Sequence, residues 1–195
     1  GHGGIEVLLG LEGQQGARWP DLGGVRTAID AGDLTGVLPR WRGVEVLSAD
    51  RRAVVDPAAL RAVLESLVAA RTAVVIDLPG HVLLGSPPAA FLSLVESAAS
   101  TVLVVTGQDV LGVCGALMMR EAVGHSRALL ALRRRPHPRV APVVAAAVVG
   151  LWVATMLPTD RRIANAVEAG LGPVVGGWSP LARAVTRLTR GLADG

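Results

Sequence analysis

Short apolar runs of strand length recur along the chain, separated by segments whose apolar residues repeat every three or four positions. The runs are Val44 to Leu47, Ala73 to Ile76, Thr101 to Val105, Ala128 to Leu132 and Leu151 to Leu157, and the last four are uncharged throughout. A strand covered on both faces reads as a continuous apolar run rather than as an alternation, and strands alternating with helices form βαβ units. The pattern therefore predicts an α/β fold, a mostly parallel sheet with helices on both faces.

The helical segments carry their own punctuation. Asp56-Pro57 supplies a cap followed by proline at the first turn, and Leu60, Val63, Leu64 and Leu67 then fall on one face. Pro88 to Ala99 and Val110 to Val123 read the same way. Thr159-Asp160 is expected to cap a short helix through Ala169, closed by Gly170. Nearer the start, Trp19-Pro20-Asp21 is expected to lead into a helix reaching Ala31, and Asp33 to cap a shorter one. The longest uncharged stretch, Val140 to Leu157, is divided by Gly150 and opened by Pro142, so it predicts a helix followed by the strand Leu151 to Leu157, not a membrane span. Length and the absence of internal repeats predict a single domain over 1–195.

Composition narrows the chemistry. All 19 basic residues are arginine, so no lysine is available as a phosphate ligand or a Schiff base. The 16 acidic residues leave a net charge of +3, too small an excess to argue for nucleic acid. Cys114 is the only cysteine, which excludes an intrachain disulfide, and its apolar context reads as a buried thiol in a reducing, cytoplasmic setting. His2, His81, His125 and His137 have no metal-ligand spacing, Ser48 and Ser86 lack the flanking glycines of a nucleophile elbow, and Gly23-Gly24 and Gly176-Gly177 read as turns. The basic loop Arg133-Arg134-Arg135-Pro136-His137-Pro138-Arg139 reads as a solvated loop before a phosphate or partner site.

One carboxylate has a position that could serve chemistry. Val74-Val75-Ile76-Asp77-Leu78-Pro79 puts Asp77 at the end of an apolar run, where open parallel sheets bind ligands. Two readings stand side by side: a turn-forming aspartate, or one that orients water around Mg²⁺ beside a nucleotide's phosphates.

Several segments together resemble the MinD/ParA superfamily: Gly3-Gly4-Ile5-Glu6-Val7-Leu8-Leu9-Gly10-Leu11-Glu12, Ala17-Arg18-Trp19-Pro20-Asp21-Leu22, Val46-Leu47-Ser48, Val75-Ile76-Asp77-Leu78-Pro79 and Leu157-Pro158-Thr159-Asp160-Arg161-Arg162. Within it the chain is most similar to the CpaE/TadZ-like septum-site-determining (Ssd) proteins of actinobacteria. The resemblance implies a P-loop-NTPase-like fold whose N-terminal strands are missing here. The deviant P-loop, its helix and an aspartate-rich strand end would precede Gly1, and an upstream truncation is expected. Asp77 is the one nucleotide-site residue that matches. No Gly-Lys-Ser or Gly-Lys-Thr occurs, and Arg133-Arg134 stand where active relatives often offer an asparagine to the adenine. ATP and Mg²⁺ are thus expected only with an upstream P-loop, and no cofactor is expected on this chain alone.

The C-terminus is amphipathic. From Ser179-Pro180 onward Leu181, Val185, Leu188 and Leu192 share one helical face, with Arg183, Arg187 and Arg190 opposite. MinD-like proteins can end in a basic amphipathic helix that lies on a membrane. The leading expectation is instead that this face covers the sheet. The resemblance implies a non-catalytic positioning or regulatory protein in septum placement or in pilus or secretion assembly. It would be cytoplasmic or peripheral at the inner membrane face, with protein partners and self-association. The alternative is an ATPase whose P-loop segment lies outside this chain.

Overall fold

A computed structural model describes residues 4–49, 56–70, 73–78, 100–123, 127–173 and 178–193, leaving the predicted helix Pro88 to Ala99 outside the described residues. The chain divides into two compact units, Gly1–Asp77 with Arg162–Val174, and Leu78–Arg161 with Val175–Gly195.

The first unit begins with α1 (Ile5–Leu9), stopped by Gly10 in the left-handed conformation at φ 70°. A Cβ on Gly10 would stand 2.4 Å from the Gly170 carbonyl oxygen, so only glycine lets the end of α1 close on the turn after α6 (Arg161–Glu168). Trp19–Leu22 forms one 3₁₀ turn. The expected continuation to Ala31 does not occur, because Gly23-Gly24 follows at once and two glycines in succession cost a helix interior about 2 kcal/mol relative to alanine. The next helix, α2 (Ala31–Gly36), is capped by Asp30, whose Oδ1 accepts from Gly32 N at 2.8 Å and Asp33 N at 3.1 Å. Asp33, the expected cap, lies inside the first turn. α3 (Pro57–Ala70) starts where the Asp56-Pro57 signal puts it. Leu22, Leu34, Leu38 and Val63 form the core, with Trp19, Val25, Ile29, Leu47 and Leu67 packed around them.

Two predicted strands of this unit are corrected. Val44 to Leu47 supplies only β2 (Val44–Glu45), which pairs antiparallel with β1 (Arg40–Trp41). The turn between them, Arg42-Gly43, has φ 50° and 87°, the double positive φ that folds a strand back on itself. Ala73 to Ile76 forms no strand among the described residues, and Val75 is 94% exposed. An apolar run becomes a buried strand only when neighbours take its N–H and C=O groups.

The second unit holds the parallel sheet. β3 (Val102–Gly107), β4 (Ala128–Arg133) and β5 (Val153–Leu157) lie in that order, with Leu103 opposite Leu129, Leu132 opposite Met156 and an irregularity at Leu130/Ala131. The crossovers are α4 (Val110–Val123) and α5 (Pro142–Val149). Right-handed connections between successive neighbouring parallel strands put both on one sheet face. Val113 and Ala116 of α4 and Ala145 and Val149 of α5 meet Val104, Leu130 and Leu132 there. Ala131, of opposite parity, is also fully buried, so β4 is covered on both faces, as its continuous apolar run requires. The stretch 140–157 divides at Gly150, which ends α5 at φ 72°. No helix among the described residues is long and apolar enough to cross a membrane. Cys114 is exposed, contrary to the buried thiol expected. α4 is apolar almost all round, so its composition gives no sign of which positions face the sheet.

Candidate functional site at the carboxyl edge of the sheet

In the second unit the ends of all three strands converge on residues with polar side chains. β3 runs into Gly107-Gln108-Asp109, β4 into Arg133-Arg134-Arg135 and β5 into Leu157-Pro158-Thr159-Asp160. Asp109 caps α4, its Oδ1 accepting from Gly112 N at 2.9 Å, and its Oδ2 pairs with the Arg135 guanidinium. The Gly112 N–H, and next the Arg135 hydrogen bond, hold the Asp109 carboxyl below the usual aspartate range. Gln108 is buried, and its carbonyl oxygen accepts from Arg139 N at 3.0 Å and Val140 N at 3.3 Å, pinning the far end of the basic loop to the start of α4. Arg134 N donates to Leu157 O at 2.8 Å, and Thr159 Oγ1 donates to Arg134 O at 3.3 Å. Asp160 Oδ2 accepts from Ser179 Oγ at 2.7 Å, and Ser179 Oγ in turn caps α7 (Pro180–Ala193) by accepting from Ala182 N at 3.2 Å.

The result is an edge whose carboxylates are engaged in capping and pairing, while Arg133, Arg134, His137 and Arg139 stand exposed. The basic loop is solvated, as its composition suggests, except that Arg135 is tied to Asp109. Such an edge can hold an anion or an acidic partner. Among the described residues no group of three or more histidine, cysteine or carboxylate side chains that could hold a metal ion occurs.

Asp77 belongs to the first unit, where it is exposed. Along α7 the predicted face divides. Ala184 is buried against the unit, Leu181 and Leu188 are half-buried, and Val185 and Leu192 are exposed together with Arg183, Arg187 and Arg190.

The cluster that composition did not reveal is in the first unit. Arg18, 6% exposed, donates through Nε to Glu6 Oε2 at 2.6 Å, and through its terminal nitrogens to the carbonyls of Gly16, Leu11 and Gln14. Ser48 Oγ donates to the same Glu6 oxygen at 3.2 Å, and Trp19 N donates to Ser48 O. Arg18 N also donates to Asp21 Oδ2 at 2.8 Å. Three of the five segments that carried the family resemblance thus meet in one polar knot, which explains their residue choice structurally. The Arg18 to Asp21 spacing was the available signal, since a carboxylate three residues past a helix start returns to its N–H.

Comparison with known proteins fits this geometry. The chain aligns over 95% of its length with a ParA family ATPase from Chlorobium tepidum, at TM-score 0.76 and 12% identity, covering 80% of that chain. It aligns over 98% with the MinD cell division protein of Aquifex aeolicus, at TM-score 0.71 and 16% identity, again covering 80%. The cell division ATPase MinD of Pyrococcus furiosus follows at TM-score 0.62 and 17% identity, with 97% of this chain and 90% of that one covered. The chain has the MinD/ParA fold. At these identities the likeness is one of fold. No protein-family model matches. In sequence the chain is 38% identical over 78 residues to the uncharacterized proteins Rv3660c and MT3760 of two Mycobacterium tuberculosis strains. The match spans 40% of this chain and 22% of each of those proteins.

Proposed function

We propose that the chain acts as a MinD-like positioning or regulatory protein that works through protein contacts and does not itself turn over ATP. The observation carrying this reading is a MinD/ParA fold spanning 98% of a sequence that contains no lysine. The P-loop NTPases hold β- and γ-phosphates with backbone N–H groups and a lysine, and this sequence has no lysine to act beside Asp77. The exposed arginines at the carboxyl edge suit an acidic protein surface as partner. A MinD of the same fold is known in complex with MinC, which supports partners in the division machinery, and a pilus or secretion assembly would use the same kind of surface. The role belongs to the cytoplasm or to the inner face of the membrane.

A second reading, an ATPase whose P-loop lies outside these residues, is favoured by the ATPases among the fold neighbours. Calorimetry with Mg-ATP separates the two. No heat of binding is expected up to millimolar nucleotide. A sub-millimolar dissociation constant that is lost in Asp77→Ala would establish the second reading for this chain.

A further inference from the structure

We infer that the basic loop 133–139 and Trp178 form one docking surface for an acidic peptide segment that carries an apolar side chain. The inference deepens the proposed reading and rests on it, since it names the chemistry of the partner at the carboxyl edge. Four arginines and no acidic residue occur in the seven positions from Arg133 to Arg139. A run of like charge at the surface is ordinarily a loose segment left to solvent. This one is held at both ends. Arg134 N donates to Leu157 O, and Arg134 O accepts from Thr159 Oγ1. At the far end Arg139 N and Val140 N share the Gln108 carbonyl, and Gln108, 4% exposed, returns its Nε2 to Val140 O at 3.4 Å. Between the two ends the Arg135 guanidinium pairs with Asp109, and Arg135 and His137 each precede a proline, which restricts their backbones. The exposed side chains of Arg133, Arg134 and Arg139 therefore project from an ordered frame, and little freedom of the loop is lost on binding.

A second observation fixes the character of the partner. Trp178 is 87% exposed, and it stands at the same edge: the next residue, Ser179, donates to Asp160, which follows the Thr159 whose hydroxyl is bound to Arg134. That series of contacts keeps the indole within about 20 Å of Arg134, the reach of about six extended residues. Tryptophan and arginine are enriched among the residues that carry the energy of protein interfaces. Guanidinium groups take carboxylates through paired N–H donors, and an exposed indole takes an apolar side chain. The acidic residues described at this edge are Asp109 and Asp160, which Arg135 and Ser179 already engage, so the excess charge is positive, and the exposed Arg161 adds to it. Nucleic acid is the poorer match. The net charge of the chain is only +3, and among the described residues of this unit Trp178 is the one indole or phenyl ring at this edge, where successive bases need successive rings. A bilayer is poorer too. Interfacial binding inserts an apolar centre with basic residues around it, whereas here the arginines are central, with Val110 and Leu111 exposed at the β3 margin and Trp178 on the β5 side.

The probe is a fluorescein-labelled peptide of about six glutamates with one phenylalanine at an end, titrated with the 195-residue chain and read by anisotropy. Binding is expected with a dissociation constant on the order of 100 µM at low salt, weakening as salt screens the exposed charges. Arg134→Glu and Arg139→Glu should each weaken it by about tenfold, and Arg190→Glu, an equal change of charge farther along α7, by less than about twofold. Trp178→Ala should weaken binding of this peptide by about fivefold and leave binding of a peptide without the phenylalanine unchanged. These side chains are exposed, so the melting temperature should not fall in any of the four variants. Loss of the positioning reading would show as Mg-ATP binding in calorimetry, whereas failure of this inference shows in the peptide titrations alone. A dissociation constant above about 5 mM, an effect of Arg190→Glu as large as that of Arg134→Glu, or a Trp178→Ala chain that binds both peptides as the parent does would each overturn the inference. So would tighter binding of a thymidine oligonucleotide or of anionic lipid vesicles that Arg134→Glu and Trp178→Ala abolish.

Discussion

Arg18 is the only buried charged residue among those described, and its burial is tolerable because every face of the guanidinium has an acceptor. Removing one member of such a pair leaves the other charge stranded, which costs about 3–5 kcal/mol when both are buried. Arg18→Leu should therefore lower the urea midpoint, and Glu6→Gln, which keeps an acceptor oxygen but leaves the buried Arg18 without its counter-charge, should lower it as well. An unchanged midpoint in Glu6→Gln would mean that packing, not charge, governs the knot. Asp109 works at the surface and in the opposite pH sense to a raised group. Its folded pKa lies below the 3.8 of an ordinary aspartate, so its stabilising effect is complete above that value and is lost as pH falls through the depressed one. Asp109→Ala should lower the melting temperature at pH 7 and converge with the parent chain in strong acid. Asp109→Asn, which can still cap α4, should fall between them at neutral pH.

At the scale of elements, α7 tests how a helical face is read. Leu181, Val185, Leu188 and Leu192 share a stripe in the sequence, yet in the helix that packs along β5 the buried residue is Ala184, with Leu181 and Leu188 half-buried. A small residue at the centre of a helix–sheet contact lets the backbones approach, and the long side chains then flank the contact instead of filling it. Ala184→Asp should cost on the order of 2 kcal/mol or more, since it buries an unpaired carboxylate, while Val185→Asp should stay within about 0.5 kcal/mol. Thermal melts of the two variants distinguish this packing from the alternative. A chain that binds anionic vesicles through Val185 and Leu192 would lose flotation in Val185→Asp at unchanged melting temperature. The hairpin of β1 and β2 illustrates a turn overriding a strand pattern. Val44 to Leu47 looks like one more parallel strand until Arg42-Gly43 folds it back on Arg40-Trp41.

Across the whole molecule, stability is concentrated where β4 passes between its neighbours. Leu130 and Leu132 are fully buried, and Leu130→Ala should cost about 2–5 kcal/mol, with the larger figure if α4 and α5 cannot close over the space. Differential scanning calorimetry should show that loss in the transition of the unit containing the sheet. A loss as large in Val75→Ala would contradict the 94% exposure of that side chain. The function proposed here lives at this scale too, on the surfaces a MinD/ParA fold presents to partners.

The sequence by itself determined the α/β class, the three parallel strands of the second unit, the helices at Asp56-Pro57 and Val110, the division at Gly150 and the MinD/ParA resemblance. Those features are written in local chemistry: uninterrupted apolar runs, caps, prolines and glycines whose effects act within a few residues. Only the tertiary structure decided that Ala73 to Ile76 has no strand partner among the described residues, that Cys114 faces outward, that Ala184 rather than Val185 is the buried point of α7, and that Glu6, Arg18 and Ser48 meet. Each of those depends on which groups distant segments bring within hydrogen-bond or packing distance. An apolar residue reads the same whether it ends against a sheet or in water. A carboxylate reads the same whether it caps a helix, pairs with arginine or serves chemistry, and the fold alone assigns Asp109 and Glu6 to the first two.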